Sequence, residues 1–264
     1  MEKLNYKKQF GQNFIYDTNL LKAIVSDACV TNTDEVLEIG VGTGSLTKQI
    51  CLKAKKVVSY EIDKSLEPYI KDNLKDILNH TLVFKDIMEE EDKNISAHFN
   101  EDFKIVANLP YYITTPIIFK FLEGDFKLNS LTIMVQKEVG ERIVSCENTK
   151  DYGILSVMLQ TFANCKITRI INRKMFTPSP NVDSCLVKID IDKNKYNIKD
   201  KEKYKAFIKT CFSMRRKTLS NNLKGYTNKE LLLNALNKLN LKENVRSEQI
   251  SVENLVKLFN LLNN

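Results

Sequence analysis

Apolar residues recur along this chain in two alternating rhythms. Short runs at Val36-Leu37-Glu38-Ile39, Val57-Val58-Ser59-Tyr60, Thr81-Leu82-Val83-Phe84, Phe103 to Ala107 and Leu131 to Val135 have the length and β-branched content of buried strands. Between them the spacing turns helical. Leu20, Leu21, Ile24, Val25 and Ala28 follow a capping Asp17, and further helices are predicted from Ser45, from about Lys64, and around 115–122 and 137–145. Strands alternating with helices require crossover connections, so the pattern predicts a doubly wound α/β domain with a mostly parallel sheet. Ile154 to Phe162 reads as another helix, and Cys165 to Asn172 and Ser184 to Ile191 as two late strands. After Asp192 the strand signals stop, and helices are predicted near 200–213, 215–223, 228–239 and 251–262. The expected division is therefore an α/β domain over 1–192 and a smaller all-α domain over 193–264.

Ligands of open parallel sheets bind beyond the carboxyl ends of the strands, so the residues after each run carry the candidate chemistry. The first run leads into Gly40-Val41-Gly42-Thr43-Gly44, where glycines let the backbone turn sharply and approach a ligand. Such a turn suits a dinucleotide, S-adenosylmethionine or a purely structural role, and the lysine of a GxxxxGK[ST] phosphate loop is absent. The second run leads into Glu61, 21 residues past Gly40. That spacing places a carboxylate to accept from both hydroxyls of a ribose; a solvated loop carboxylate is the plain alternative, and Asp63 reads as a helix cap. After the third run, Asp86 is either an acceptor for an adenine amino group or a turn former. The fourth ends in Ala107-Asn108-Leu109-Pro110-Tyr111-Tyr112-Ile113-Thr114-Thr115-Pro116, which contains no His, Cys, Asp or Glu. Four successive strand ends with candidate contacts carry more weight than any one of them.

A hydrophobic content of 43% with 28% charged residues is that of a soluble globular protein, and the apolar runs are too short to span a bilayer. The N-terminal segment lacks the apolar core of a signal peptide, so a cytoplasmic location is expected. Six cysteines without a CxxC pair, and only two histidines, argue against a zinc site or a disulfide framework; reduced, largely buried thiols and no metal are expected. The net charge of +7 is uneven: residues 193–264 carry 16 Lys/Arg against 6 Asp/Glu, and residues 1–192 carry 24 against 27. A basic helical region beside a near-neutral domain suggests a polyanionic partner such as nucleic acid, although a lysine-rich composition without any partner would look the same.

The motifs in combination resemble those of the ribosomal RNA adenine dimethyltransferases, and closely the bacterial KsgA type that acts on small-subunit rRNA. The resemblance runs from Lys8-Gln9-Phe10-Gly11-Gln12-Asn13-Phe14 through the glycine turn, Tyr60-Glu61-Ile62-Asp63, Lys85-Asp86-Ile87 and Asn108 to Pro116. It continues through Gln136 to Val139, Tyr152 to Val157, Phe176-Thr177-Pro178-Ser179-Pro180-Asn181-Val182-Asp183-Ser184, Arg215 to Leu219 and Ile250 to Val252. The related Erm enzymes of large-subunit rRNA usually carry Asn-Ile-Pro-Tyr where this chain has Asn108-Leu109-Pro110-Tyr111. The resemblance implies a Rossmann-like methyltransferase fold, with S-adenosylmethionine contacts at Asn13, Ile15, Gly40, Glu61, Asp86 and Asn108. It further implies that the substrate is a pair of adjacent adenosines in the terminal hairpin of 16S rRNA within the small subunit, methylated at N6. A monomer is expected.

An exocyclic amine attacking a sulfonium needs acceptors and orientation more than a strong base, which makes the lack of acid–base residues in the 107–116 turn intelligible. The Asn108 side-chain oxygen and the Leu109 carbonyl would accept from the amine, and Pro110 would keep that carbonyl presented. Tyr111 is expected to receive one face of the base and, from the resemblance, Phe176 the other, although Phe176 reads equally as a buried staple. Tyr112 is expected to pack in the core. Lys7-Lys8 and Arg215-Arg216-Lys217 are candidate phosphate binders. An Erm-type enzyme acting on 23S rRNA, or a non-enzymatic assembly or transcription factor on the same fold, are the alternatives.

Overall fold

The apolar runs pair into sheets whose register brings their carboxyl ends to one edge. A computed structural model describes residues 12–263. Its strands are β1 (Phe14–Ile15), β2 (Glu35–Ile39), β3 (Lys56–Glu61), β4 (His80–Phe84), β5 (Phe103–Asn108), β6 (Leu128–Gln136), β7 (Ala163–Ile171), β8 (Phe176–Thr177) and β9 (Ser184–Ile191). Seven form a sheet in the order β4-β3-β2-β5-β6-β9-β7, and β1 pairs with β8 separately. From β4 to β6 every neighbouring pair is parallel, while β9 runs antiparallel to β6. The chain moves outward from β2 through β3 to β4, then crosses back to β5 on the other side of β2. The topological switch point, where such sheets bind ligands, therefore lies between β2 and β5. Ile39 is level with both Tyr60 and Ala107, so Gly40, Glu61 and Asn108 leave the sheet side by side.

The helices are α1 (Thr18–Asp27), α2 (Ser45–Cys51), α3 (Glu67–Leu74), α4 (Asp92–Ser96), α5 (Thr114–Glu123), α6 (Lys137–Val144), α7 (Ile154–Phe162), α8 (Lys201–Cys211), α9 (Leu219–Asn222), α10 (Lys229–Lys238) and α11 (Val252–Asn263). Asp17 caps α1 as expected, accepting from Leu20 N. The helix buries Leu21, Ile24 and Val25 against Val36, Val57 and Val106 of the sheet and Ile50 of α2. The central strand β2 is buried at all five positions, as strands covered on both faces are. Its Glu38 is fully enclosed, with Ser59 Oγ donating to Oε2 at 2.8 Å and His80 Nε2 3.0 Å from the same hydroxyl.

The described residues divide into two units, one running to Gly140 and resuming over Lys166–Ile191, the other comprising Glu141–Cys165 and the residues from Asp192. The segment 141–165, assigned on sequence to the 1–192 domain, thus belongs with the C-terminal helices. The cause is packing: α7 buries Leu155, Val157, Met158, Leu159 and Phe162, and Phe162 meets Tyr204 of α8 edge-to-face at 6.2 Å. Tyr204 also donates to or accepts from Thr161 Oγ1 at 3.0 Å and meets Phe259 of α11 at 5.2 Å. Period alone reveals that α7 is apolar, and not which neighbour takes its apolar face. The helix expected over 215–223 is confined to α9, because Thr218 caps it by accepting from Asn221 N. Among the cysteines, Cys51, Cys185 and Cys211 are buried, but Cys29 and Cys146 are exposed, contrary to a largely buried set. No group of three His, Cys, Asp or Glu among the described residues is placed to hold a metal, and no helix among them is long and apolar enough to cross a membrane.

Candidate active site

The glycine turn is held in place by the carboxylate that follows the next strand. Gly40, Gly42 and Gly44 all have positive φ, and Gly40 N donates to Tyr60 O at 2.9 Å. Gly42 is further constrained by space, since a Cβ there would come within 2.8 Å of the Phe14 ring. Its amide donates to Glu61 Oε2 at 2.9 Å, while Glu61 Oε1 accepts from Ile62 N and Asp63 N, also at 2.9 Å. Burial pushes the Glu61 pKa above the ordinary carboxylate range, and these three amide bonds oppose the shift. A carboxylate offers about four acceptor positions, so three donors leave capacity for a ligand hydroxyl. Asp63 has the expected capping role, accepting from Ser65 N at 3.1 Å, and it also accepts from Gln12 Nε2 at 2.9 Å.

One cavity is lined by Asn13, Ile15, Gly40, Glu61, Asp86, Asn108, Leu109, Pro110 and Tyr111, nine of the ten residues singled out on sequence. Asp86 makes its own local turn, accepting from Met88 N at 2.8 Å through Oδ1. The turn-forming and ligand-facing readings of Asp86 are thus compatible. Asn108 is oriented by the chain segment before α1: its Nδ2 donates to Asn13 O at 2.9 Å. That bond commits the donor end of the amide and leaves Oδ1, which can only accept, for the cavity. Pro110 holds φ at −57°, and its carbonyl accepts from Ile113 N at 3.1 Å, which closes the one-turn helix Tyr111–Ile113 ahead of α5.

The two tyrosines diverge from expectation in one case. Tyr111 is half-buried with its hydroxyl 2.7 Å from Ser184 Oγ, and burial raises its pKa. Tyr112, expected in the core, is 64% exposed and lines the cavity. Helical phase explains the reversal: α5 buries Thr114, Ile117, Ile118 and Phe121, a face that extends back to 111 and excludes 112. Phe176 is the residue the fold does not bring to the cavity. It pairs with Ile15 across β1 and β8 and lies 3% exposed in the core with Leu21, Val25 and Leu186, so its ring is interior, where a buried staple would sit, and not at the cavity wall where a base would stack.

Sequence reasoning passed over Gln12, Ile62, Lys85 and Ile87, which also line the cavity. Each is the chain neighbour of a residue already singled out, and that adjacency was the available signal. Ile62 is 48% exposed beside the Glu61 carboxylate, whereas Ile87 is buried beside Asp86. Apolar side chains flanking two carboxylates suit a flat, polar-edged ring such as a nucleobase. Of the basic candidates, Lys7-Lys8 lie outside the described residues, and Arg215, Arg216 and Lys217 are exposed in the loop between α8 and α9.

The ribosomal RNA adenine dimethylase family matches residues 3–264 of the chain. The ribosomal RNA small subunit methyltransferase A of Clostridioides difficile is 40% identical over 270 residues, covering 100% of this chain and 93% of that protein. Among solved structures, a dimethyladenosine transferase from Plasmodium falciparum superposes with a TM-score of 0.80 at 25% identity, covering 93% of this chain and 95% of that one. The 23S rRNA methyltransferase ErmE superposes with a TM-score of 0.76, also at 25% identity, covering 96% and 100%. The two solved structures thus match the backbone about equally well, whereas the match to the family and the identity to the Clostridioides difficile protein extend over nearly the whole sequence. The chain belongs to the ribosomal RNA adenine dimethylase family.

Proposed function

We propose that this protein transfers methyl groups from S-adenosylmethionine to N6 of two adjacent adenosines in the 3′-terminal hairpin of 16S rRNA, within the small ribosomal subunit. The observation that carries this reading is the Asn108 amide, whose Nδ2 is committed to Asn13 O and whose Oδ1 is thereby assigned to accept at the switch point. S-adenosylmethionine fits the residues present, and when bound it supplies an activated methyl group on a sulfonium. Glu61 holds the ribose hydroxyls with the acceptor capacity that three backbone amides leave, Asp86 takes the adenine amine, and Ile15 and Gly40 allow close approach. Asn108 Oδ1 and the Leu109 carbonyl accept from the target amine and turn its lone pair toward the donor, a catalysis of orientation and fixed dipoles. Pro110 fixes the backbone that presents that carbonyl. Tyr111, with its hydroxyl anchored on Ser184, offers a ring face to the extruded base. The basic C-terminal helices and the exposed Arg215-Arg216-Lys217 loop contact rRNA phosphates, and the protein works as a cytoplasmic monomer.

Transfer of labelled methyl groups to unmethylated 30S particles and to 23S rRNA tests the assignment. Methylation of 30S particles alone is expected, with two N6,N6-dimethyladenosines found by mass spectrometry. Asn108→Ala is expected to lower kcat by roughly 10²–10³-fold, the usual effect of deleting one preorganised polar contact. Activity confined to 23S rRNA would overturn the substrate, and an unimpaired Asn108→Ala the mechanism.

A further inference from the structure

We propose that Tyr112 is a stacking platform for the base next to the one that enters the cavity, a second nucleobase subsite at the rim. The inference rests on the reading that the cavity receives an rRNA adenosine. Tyr111 and Tyr112 are consecutive in one short helix but have opposite surroundings. Tyr111 is in phase with the buried face of α5 and its hydroxyl is fixed on Ser184 at 2.7 Å. Tyr112 is in phase with Thr115 and Pro116, both exposed, and its ring has no hydrogen-bond or aromatic partner among the described residues. Single exposed apolar residues are common and by themselves mean little. Tyr112 differs because the same side chain lines the cavity that contains Asn108, Leu109 and Pro110, four residues or fewer away along a turn closed by the Pro110 carbonyl. The turn holds its backbone, while its ring has no such anchor among the described residues.

Chemistry supplies the occupant. A base that leaves its stack exposes a face of each neighbour to water, and single-stranded RNA is held by aromatic side chains that take such faces. A tyrosine at the rim, beyond the acceptors that hold the target amine, meets the adjoining base as the target goes in. Stacking of this kind is sequence-tolerant, and for the proposed substrate the adjoining base is the second adenosine. A ring that holds whichever adenosine is outside while the other is methylated serves both rounds of transfer.

The test compares wild type with Tyr112→Ala and Tyr112→Phe on unmethylated 30S particles, with S-adenosylmethionine affinity measured separately by calorimetry. Loss of one base–aromatic stack corresponds to roughly 5- to 150-fold, so Tyr112→Ala is expected to raise the KM for 30S by about tenfold or more. Its S-adenosylmethionine Kd and its melting temperature are expected to stay at the wild-type values, and Tyr112→Phe, which keeps the ring, is expected to recover the KM. An unchanged KM in Tyr112→Ala overturns the proposal. So does a Tyr112→Phe variant as impaired as Tyr112→Ala, which would assign the effect to the hydroxyl, or a cofactor Kd that rises in step with KM, which would assign the ring to the cofactor pocket. Wild-type protein inactive on 30S would overturn this inference together with the proposed function, a result distinct from active wild type with an unaffected Tyr112→Ala.

Discussion

Glu38 occupies the middle of the central strand, fully buried, where burial pushes its pKa up to about 8 while the hydroxyls of Thr47 and Ser59 oppose the shift. Between the ordinary carboxylate range and pH 8 the folded protein thus keeps a proton that the unfolded chain has released. The unfolded state binds fewer protons across that window, so stability falls as pH rises through it. Glu38→Gln, which keeps an acceptor for Ser59 and does not titrate, should gain on wild type from pH 5 to pH 8 by at most about 1.4 kcal/mol per pH unit. Denaturant melts of both proteins across that range measure this, and parallel pH profiles would show that Glu38 is ionised in the fold. Glu61, also buried and shifted upward, differs in having three backbone amides on its oxygens, the pattern of a carboxylate kept available for binding. Spacing from Gly40 made Glu61 legible in the sequence, but the same letters gave no sign that Glu38, two residues before the turn, is sealed in.

At the scale of elements, the pairing of β1 with β8 decides what Phe176 does. Two residues on each side suffice to align Ile15 with Phe176 and Phe14 with Thr177, which turns the Phe176 ring into the core. Phe176→Ala should therefore cost about 3–5 kcal/mol of stability, as large-to-small core changes do, and Phe176→Leu a smaller amount. The Leu variant should keep its KM for 30S particles. A Leu variant as stable as wild type but ten times weaker toward RNA would mean that the ring meets the substrate after all. Strands of two residues have no readable period, so β1 and β8 were invisible in the sequence, and with them the burial of Phe176. The one-turn helix before α5 is the opposite case. Extending the i, i+3, i+4 pattern of Thr114, Ile117, Ile118 and Phe121 backward by three residues separates an inward Tyr111 from an outward Tyr112, so the exposure of Tyr112 is legible in the helical period and runs against the expectation that it packs in the core.

Over the whole molecule, the charge imbalance between residues 193–264 and the remainder predicts an association with RNA that weakens steeply with salt. Arg215, Arg216 and Lys217 are exposed together, and the Arg215 guanidinium donates to the Lys150 carbonyl, which steadies the loop. Replacing all three by alanine should lower the slope of log K against log salt by about 2–3 and leave S-adenosylmethionine binding unaltered; an unchanged slope would place the phosphate contacts elsewhere. The sequence by itself determined the alternation of strands and helices, the glycine turn and the carboxylates and amide that end four strands, because these depend on local period and on contacts short in the chain. Only the tertiary structure decided that Asn13 orients Asn108 across 95 residues, that Phe176 is interior, and that 141–165 packs with the C-terminal helices. Such choices depend on which apolar face meets which and on hydrogen bonds between distant segments, and no spacing along one strand or helix encodes its partner.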